Sequence, residues 1–405
     1  MTSSHYTAST THFATEFDCP SCGALGMEVF FELEGVPTNS CILLSSREDA
    51  LAYPRGDVEM AFCPACGFIS NMAFDTRLTE YSGRYEETQG FSETFNAFHR
   101  KLAERLIERY DLHRKNVLEI GCGKGEFITL LAELGDNCGI GFDPGYHEER
   151  LSDTVTQRLK FVKDFYSAKY SDYRADFVCC KMTLEHIHPT SQFISTVRRA
   201  IGDQQDTAVF FQIPDATRII RDCAFEDIYY EHCSYFSAGS LGRLFRRSGF
   251  DVLNLETEYG GQYLTIEAKP AHGVPTPPLP QEHDLASLAR YVADFPAKCR
   301  TKLDEWRRQV CEMHGRGRKI VLWGSGSKAV SFLTTLGVGN SVACAVDINP
   351  YRHGYYMPIT GQRIVAPAFL EEYRPDVVII MNALYRDEIG RDLDRMSLRP
   401  EILAL

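Results

Sequence analysis

The chain has 405 residues, and its 43 basic residues against 55 acidic ones give a formal net charge of −12. This length exceeds one ordinary core, so two or three domains are expected. The acidic balance, without a block of basic residues, disfavours nucleic-acid substrates, because phosphate contacts need clustered positive charge. No apolar run reaches ~18 residues and the N-terminus lacks a signal-peptide pattern, so the sequence predicts a cytoplasmic protein without a membrane segment.

Four of the 14 cysteines form two Cys-Pro-x-Cys-Gly pairs, Cys19 with Cys22 and Cys63 with Cys66. Two thiolates separated by two residues can bind one ion, and two such pairs complete a tetrahedron. We therefore predict a structural zinc site without an open coordination position. Apolar runs at 26–33 and 58–62 predict strands that return the chain to the first pair. The alternative is four buried free cysteines.

A helix is predicted next, because apolar residues from Phe91 to Ile107 recur at steps of three and four. The segment before it, residues 81–89, combines Tyr81 and Tyr85 with acidic residues. Such a loop could cover a substrate at the mouth of a sheet. It could equally be a solvated connection that packs two tyrosines.

The strand Asn116–Ile120 runs into Glu119-x-Gly121-x-Gly123-x-Gly125, which is typical of the cofactor turn of a class I methyltransferase. Glycines let this turn adopt backbone angles that a Cβ forbids, and they let the main chain close on the ligand. Glu119 can then bind the ammonium of S-adenosylmethionine (SAM). Asp143 ends the next strand and can hold the ribose hydroxyls. A dinucleotide is the alternative ligand.

Strands and helices alternate from here to about residue 270, which predicts a mostly parallel α/β sheet that binds ligands at its carboxyl edge. Asp164 follows the third strand, where its carboxylate can accept from the adenine amino group. His186, in the segment 181–186 after the fourth strand, lies beside the expected methyl donor. Both His186 and its neighbour Glu185 could also be ordinary polar residues at a strand end.

The densest group of polar and aromatic residues is 227–236, which contains Tyr229, Glu231 and His232. A histidine can take a proton near neutral pH, and a neighbouring carboxylate or phenol can fix its tautomer or bind a substrate oxygen. This segment therefore supplies the candidate base. The alternative is that the Glu-His pair is structural.

The prolines of 269–280 mark a break, after which a helix is predicted over 285–314. The strand that follows runs into Gly324-x-Gly326-x-x-Ala329, a Rossmann-type turn, with Asp347 at the offset of a ribose-binding acid. This second turn could bind NAD, bind the nucleotide end of a substrate, or only pack.

The order of these motifs resembles the nucleotide-sugar C-methyltransferases, a family that includes the tetronitrose C-3 enzyme, over almost the whole chain. The resemblance implies a zinc-binding domain at 1–75, a class I SAM methyltransferase domain at 76–270 and a C-terminal Rossmann-like domain at 285–405. In that family a keto-deoxysugar on a nucleoside diphosphate loses an α-proton, and the enolate attacks the SAM methyl group.

The resemblance also implies residue roles. His232 would be the base, Glu231 and Tyr229 would assist it, and His186 and Tyr85 would line the substrate pocket. Met182, next to the cofactor, stands where the related sugar enzymes have Asn, and it lacks the donor and acceptor of an amide. An O- or N-methyltransferase of a small metabolite, or a non-catalytic SAM- or nucleotide-binding module, remains the alternative function.

Overall fold

The computed structural model describes residues 18–147 and 157–405, which form three β-sheets connected by helices. The N-terminal segment on which the signal-peptide expectation rests lies outside the described residues. Within these ranges, no helix is both long and apolar enough to cross a bilayer.

The first sheet has four antiparallel strands in the order β1-β2-β3-β9. Its strands are β1 (Glu28–Pro37), β2 (Arg55–Phe62), β3 (Ile69–Asn71) and β9 (Ser234–Tyr235). Strands β1 and β2 confirm the two strands predicted between the cysteine pairs. Strand β9 comes from the segment that contains the candidate base, so this sheet fixes the backbone directly after His232.

The second sheet has seven strands in the order β6-β5-β4-β7-β8-β11-β10, and among them only β11 runs antiparallel to the others. Its strands are β4 (Asn116–Ile120), β5 (Cys138–Phe142), β6 (Leu159–Val162), β7 (Phe177–Lys181), β8 (Ala208–Pro214), β10 (Phe250–Glu258) and β11 (Tyr263–Pro270). This is the predicted class I methyltransferase sheet. The strand order reverses beside β4, where open α/β sheets bind ligands.

The third sheet has five parallel strands in the order β14-β13-β12-β15-β16. They are β12 (Ile320–Trp323), β13 (Cys344–Val346), β14 (Arg363–Val365), β15 (Val377–Ile380) and β16 (Glu401–Ala404). The order reverses beside β12, and the second glycine turn follows that strand. The predicted Rossmann-like arrangement is therefore present.

Helices cover these sheets and connect them. The α-helices of the described ranges are Arg47–Leu51, Glu93–Tyr110, Glu126–Gly135, Thr190–Ile201, Ala216–Arg221, Ala238–Arg247, Leu285–Gly315, Ser327–Leu336, Phe369–Tyr373 and Arg386–Arg395.

Two details differ from the sequence prediction. Phe91 lies outside the helix predicted to include it, because the Ser92 side chain caps Glu93–Tyr110 by accepting from the amide of Phe95. The predicted break also begins later than expected, because β11 runs to Pro270. Pro270 lies at the strand end, where a missing amide hydrogen is tolerated.

One hydrophobic core joins the first and third sheets. It includes Phe31 of the first sheet, Phe225 and Tyr230 before β9, Phe295 of the long helix and Leu322 of β12. All five residues are at most 3% exposed. The segment with the candidate base is thus held from two sides by apolar packing.

Candidate functional site

A cavity of about 630 Å³ opens where the carboxyl ends of β4 and β12 face each other. Both glycine turns line it, and so do the two candidate histidines and the predicted covering loop. The sequence treated these features as separate motifs. The fold brings them to a single site.

The first turn has three successive left-handed glycines, with φ of 69° at Gly121, 54° at Gly123 and 84° at Gly125. A Cβ on Gly121 would lie 1.9 Å from Oγ1 of Thr183, so no side chain fits there. Oδ2 of Asp143 accepts from the amide of Gly123 at 3.0 Å. The predicted acid at the end of β5 therefore stabilises the turn and also lines the cavity.

Glu119 is 2% exposed, and its Oε2 accepts from the amide of Ile128 at 3.0 Å. Burial raises the pKa of this carboxyl to about 7, while the charge of Lys181 lowers it. Lys181 is buried as well, with Nζ 2.7 Å from Nε2 of His99 and 4.3 Å above the Phe127 ring. This buried cation was missed, although a lysine that ends an apolar strand was a visible signal.

Asp164 and Met182 also line the cavity, as predicted for cofactor-binding residues. The Asp164 carboxylate accepts from the Tyr170 hydroxyl at 2.7 Å and from the Phe165 amide at 2.8 Å. Met182 has a φ of 51°, which is uncommon for a side chain of this size. Its amide donates to the carbonyl oxygen of Gln212 at 2.7 Å, which holds this backbone in place.

The polar groups and the glycines at the first turn fit SAM. Glu119 offers a carboxylate for an ammonium, Asp143 offers one for a ribose diol, and glycines leave room for close main-chain approach.

The second turn has the same arrangement of a left-handed glycine and an acid that accepts from a backbone amide of the turn. Gly324 has a φ of 104°, and Oδ2 of Asp347 accepts from the amide of Ser325 at 2.9 Å. The buried guanidinium of Arg352 donates to the carbonyl oxygen of Ser325 at 2.8 Å and to the carbonyl oxygen of Glu86 in the covering loop. The second turn is therefore connected to the loop that carries Tyr81 and Tyr85.

The candidate histidines lie together, although 46 positions separate them in the chain. The rings of His186 and His232 have centroids 4.7 Å apart, and the Tyr229 ring is 4.1 Å from that of His232. Nδ1 of His186 lies 2.9 Å from the Tyr81 hydroxyl and 3.0 Å from the Glu231 carbonyl oxygen. Tyr85 contacts the Tyr81 ring at a centroid distance of 5.4 Å.

The role predicted for Glu231 needs a correction. Its carboxylate accepts from the amide of Ser40 at 2.8 Å and from the Ser40 hydroxyl. Among the hydrogen bonds of the described residues, none joins this carboxylate to the adjacent His232 ring. The physical reason is that the Glu231 side chain turns to the segment after β1, where Oγ of Ser40 also lies 2.6 Å from Oγ of Ser327, at the start of the helix Ser327–Leu336.

The carboxyl group beside the histidines belongs to Glu185. One of its oxygens and one ring nitrogen from each of His186 and His232 all lie within 4.8 Å of one another. Glu185 is 2% exposed, and within the described ranges neither of its oxygens has a hydrogen-bond partner. Sequence reasoning left its role open, since a glutamate at a strand end is common.

The four paired cysteines converge at one point. The sulfurs of Cys19 and Cys66 are 3.7 Å apart, and those of Cys22 and Cys63 are also 3.7 Å apart. A tetrahedron with Zn–S bonds of about 2.3 Å places sulfurs about 3.8 Å apart. The cluster therefore fits zinc, and it lies outside the cavity lining, which agrees with the structural role that we propose.

Two family models match the chain. A model described as a methyltransferase domain matches residues 93–255, and one described as a C-methyltransferase C-terminal domain matches residues 279–399. The chain is also similar to the C-methyltransferase NovU of Streptomyces niveus. The two are 22% identical over 367 residues, which cover 86% of this chain and 85% of NovU.

Two solved methyltransferase structures are similar to less than half of the chain each. The N1-methyltransferase of 1,6-didemethyltoxoflavin from Burkholderia thailandensis is 17% identical, with a TM-score of 0.35, over 43% of this chain and 79% of its own. Magnesium protoporphyrin IX methyltransferase from Synechocystis PCC 6803 is 14% identical, with a TM-score of 0.34, over 44% of this chain and 84% of its own.

Proposed function

We propose that this chain, a SAM-dependent methyltransferase with a C-methyltransferase C-terminal domain, adds the methyl group to a carbon atom α to a carbonyl group. The first glycine turn predicted the methyltransferase class, and the two domain matches confirm it. The proposed carbonyl compound is a keto-deoxysugar on a nucleoside diphosphate. One observation carries this proposal: both glycine turns and the histidine pair line the same cavity.

SAM, when bound, supplies an electrophilic methyl group. The residues proposed to bind it are those of the first turn. Glu119 would bind the ammonium, Asp143 the ribose hydroxyls and Asp164 the adenine amino group, because each carboxylate lines the cavity. Met182 would border the methyl group, since it follows the end of β7.

His232 is the proposed base. Burial lowers the pKa of its imidazole well below the ordinary value. The ring is therefore neutral near physiological pH and has a free lone pair. It would remove the α-proton of the substrate, and the electron pair of that C–H bond would pass into an enolate.

Donors beside His232 can stabilise the oxyanion that forms. Burial raises the pKa values of Tyr229 and Tyr85 well above their ordinary value, so both phenols keep the proton that they can donate. His186 has a pKa lowered to about 4 by burial, so its ring is neutral, and its one N–H, at Nδ1, donates to the Glu231 carbonyl oxygen and holds the ring beside His232. Preorganised donors in a site that excludes water are effective stabilisers of developing charge.

The second turn would hold the nucleotide end of the substrate. Asp347 lies at the position of a ribose-binding acid, and Lys328 and Arg352 line the same part of the cavity. The cavity extends from this turn to the first, so one substrate could reach both.

The test is wash-in of solvent deuterium into thymidine-diphosphate-linked keto-deoxyglucose, with S-adenosylhomocysteine (SAH) bound so that alkylation cannot follow. We expect the wild type to exchange the α-hydrogen and His232→Ala to be slower by about 10²–10⁴-fold, the usual contribution of a positioned base. SAH affinity should be unchanged. His188→Ala is the matched control, because this neighbouring histidine lies outside the cavity lining.

Equal exchange by the wild type and His232→Ala would contradict the assignment of the base and make His186 the next candidate. Methyl transfer to oxygen or nitrogen, without exchange at carbon, would contradict the proposed reaction and favour the alternative O- or N-methyltransferase.

A further inference from the structure

The histidine that we propose as the base is poorly suited to keep a proton. Among the described residues, Nδ1 of His232 has no hydrogen-bond partner and the side chain is 4% exposed. An imidazolium here would be a buried charge, and such a charge is stable only when it is paired. The sequence offered Glu231 as that partner, but the carboxylate of Glu231 is bound to Ser40.

Glu185 is the acid that the fold places at the histidine pair. Its carboxyl group lies within 4.8 Å of a ring nitrogen of each histidine, and both of its oxygens lack hydrogen-bond partners in the described structure. A buried carboxylate without a partner is costly. The cost disappears when the group takes up a proton or faces an imidazolium.

We propose that Glu185 is a positioning residue of the base, and that it takes the proton that His232 removes from the substrate. This inference rests on the proposed function. The α C–H bond breaks, its electron pair becomes the enolate, and the proton bonds to one ring nitrogen of His232. A ring proton then passes to Glu185. The negative charge thus moves from Glu185 to the enolate oxygen, and the dry cavity gains no net charge.

Burial supports this direction of transfer. It raises the pKa of Glu185 to about 8 and lowers that of His232, so the neutral pair is favoured over the ion pair. A group that accepts a proton near the working pH is suited to be the final acceptor. The other titratable groups that face Glu185 are Tyr81, Cys180, His186, Cys233 and Tyr263. Burial keeps all five neutral.

Glu185→Gln is a sharp test because it keeps the shape of the side chain and breaks no hydrogen bond of the described structure. The control is Glu226→Gln. Glu226 is also buried, at 4% exposed, and its Oε2 likewise has no partner, but it lies outside the cavity lining. Both variants should fold, which thermal unfolding checks.

With thymidine-diphosphate-linked keto-deoxyglucose and bound SAH, we expect Glu185→Gln to lose at least about 10²-fold in the deuterium wash-in rate. The substrate KM and the SAH affinity should stay near wild type, which a general disturbance of the site would not allow. Glu226→Gln should exchange like the wild type. A wild-type rate in Glu185→Gln would overturn the inference.

An infrared measurement needs no substrate and separates this inference from the proposed reaction. The wild-type spectrum minus that of Glu185→Gln should contain the band of a protonated carboxyl group that is lost as the pH rises through about 8, because the form that accepts the proton is the carboxylate. Absence of that band would overturn the inference, even if the wild type exchanges. Metal analysis is the last check, because a second metal equivalent that Glu185→Gln removes would make this cluster a metal site instead.

Discussion

Gly121→Ala tests whether the first turn needs glycine for shape as well as for backbone angle. Gly121 has a φ of 69°, and an added Cβ would lie 1.9 Å from Oγ1, 2.7 Å from Cγ2 and 2.8 Å from Cβ of Thr183. Thr183 cannot rotate away freely, because it is β-branched and its hydroxyl donates to the carbonyl oxygen of Lys181 at 3.0 Å.

The two effects have separate magnitudes. A left-handed backbone costs about 1–2 kcal/mol for a residue with a Cβ. Overpacking costs about 1–3 kcal/mol when neighbours must shift. The turn of Gly121→Ala is expected to relax away from the cofactor-binding geometry, so binding must restore it. SAH affinity should therefore fall by about 2 kcal/mol or more, at least ~30-fold.

Calorimetric titration of SAH into Gly121→Ala, Thr183→Gly and the double variant separates the clash from the angle. Removing the Thr183 side chain should recover at least about 1 kcal/mol, ~5-fold in affinity, in the Gly121→Ala background beyond its effect in the wild type. The loss of affinity that comes from the left-handed backbone at residue 121 should remain in the double variant. A coupling energy near zero would refute the clash, and unchanged affinity in Gly121→Ala would refute both effects.

Three further predictions follow from the structure. Cys63→Ser should reduce the metal content from one zinc per chain and lower the yield of folded protein. Cys138→Ser, at an exposed free cysteine, should do neither. Equal metal content in the two variants would contradict the zinc site. Gly123→Val should abolish SAH binding in calorimetry, while Gly326→Val should leave it intact and weaken the nucleotide-linked substrate; equal losses of SAH affinity would argue against two sites. Met182→Asn should raise the free energy of unfolding by about 1 kcal/mol and the thermal midpoint by ~2–4 °C, because Asn tolerates a φ of 51° better than Met does. No change in the midpoint would mean that this backbone is not strained.

The features predicted well from the sequence are those that neighbouring residues determine. The two Cys-Pro-x-Cys-Gly turns have matching backbones, with φ of 74° at Gly23 and 75° at Gly67. The strand before the first glycine turn and the helix Leu285–Gly315 also agree with their predicted ranges. In each case the signal lies within a short stretch of sequence. It is either a regular spacing of apolar residues or a glycine where the backbone must be left-handed.

The missed features depend on distant partners. Strand β9 has two residues and exists because it pairs with β3, far earlier in the chain. Strand β10 was not predicted, since its ladder with β11 contains a register shift between Val252 and Asn254 that interrupts the alternation. Lys181 and His99 form a buried contact between a helix and a strand that no local pattern predicts.

The candidate base shows why sequence adjacency misleads at a site. Glu231 and His232 are neighbours in the chain, yet the carboxylate of the first bonds to Ser40 while the ring of the second faces His186. Adjacent side chains point in different directions along an irregular segment, so the carboxyl group that lies within 4.8 Å of a ring nitrogen of His232 is that of Glu185, in the turn after β7. The carboxylate of Glu231 instead connects, through Ser40, to Ser327 of the second turn. It therefore lies between the proposed nucleotide site and the backbone that carries the base, where it can hold the two in register.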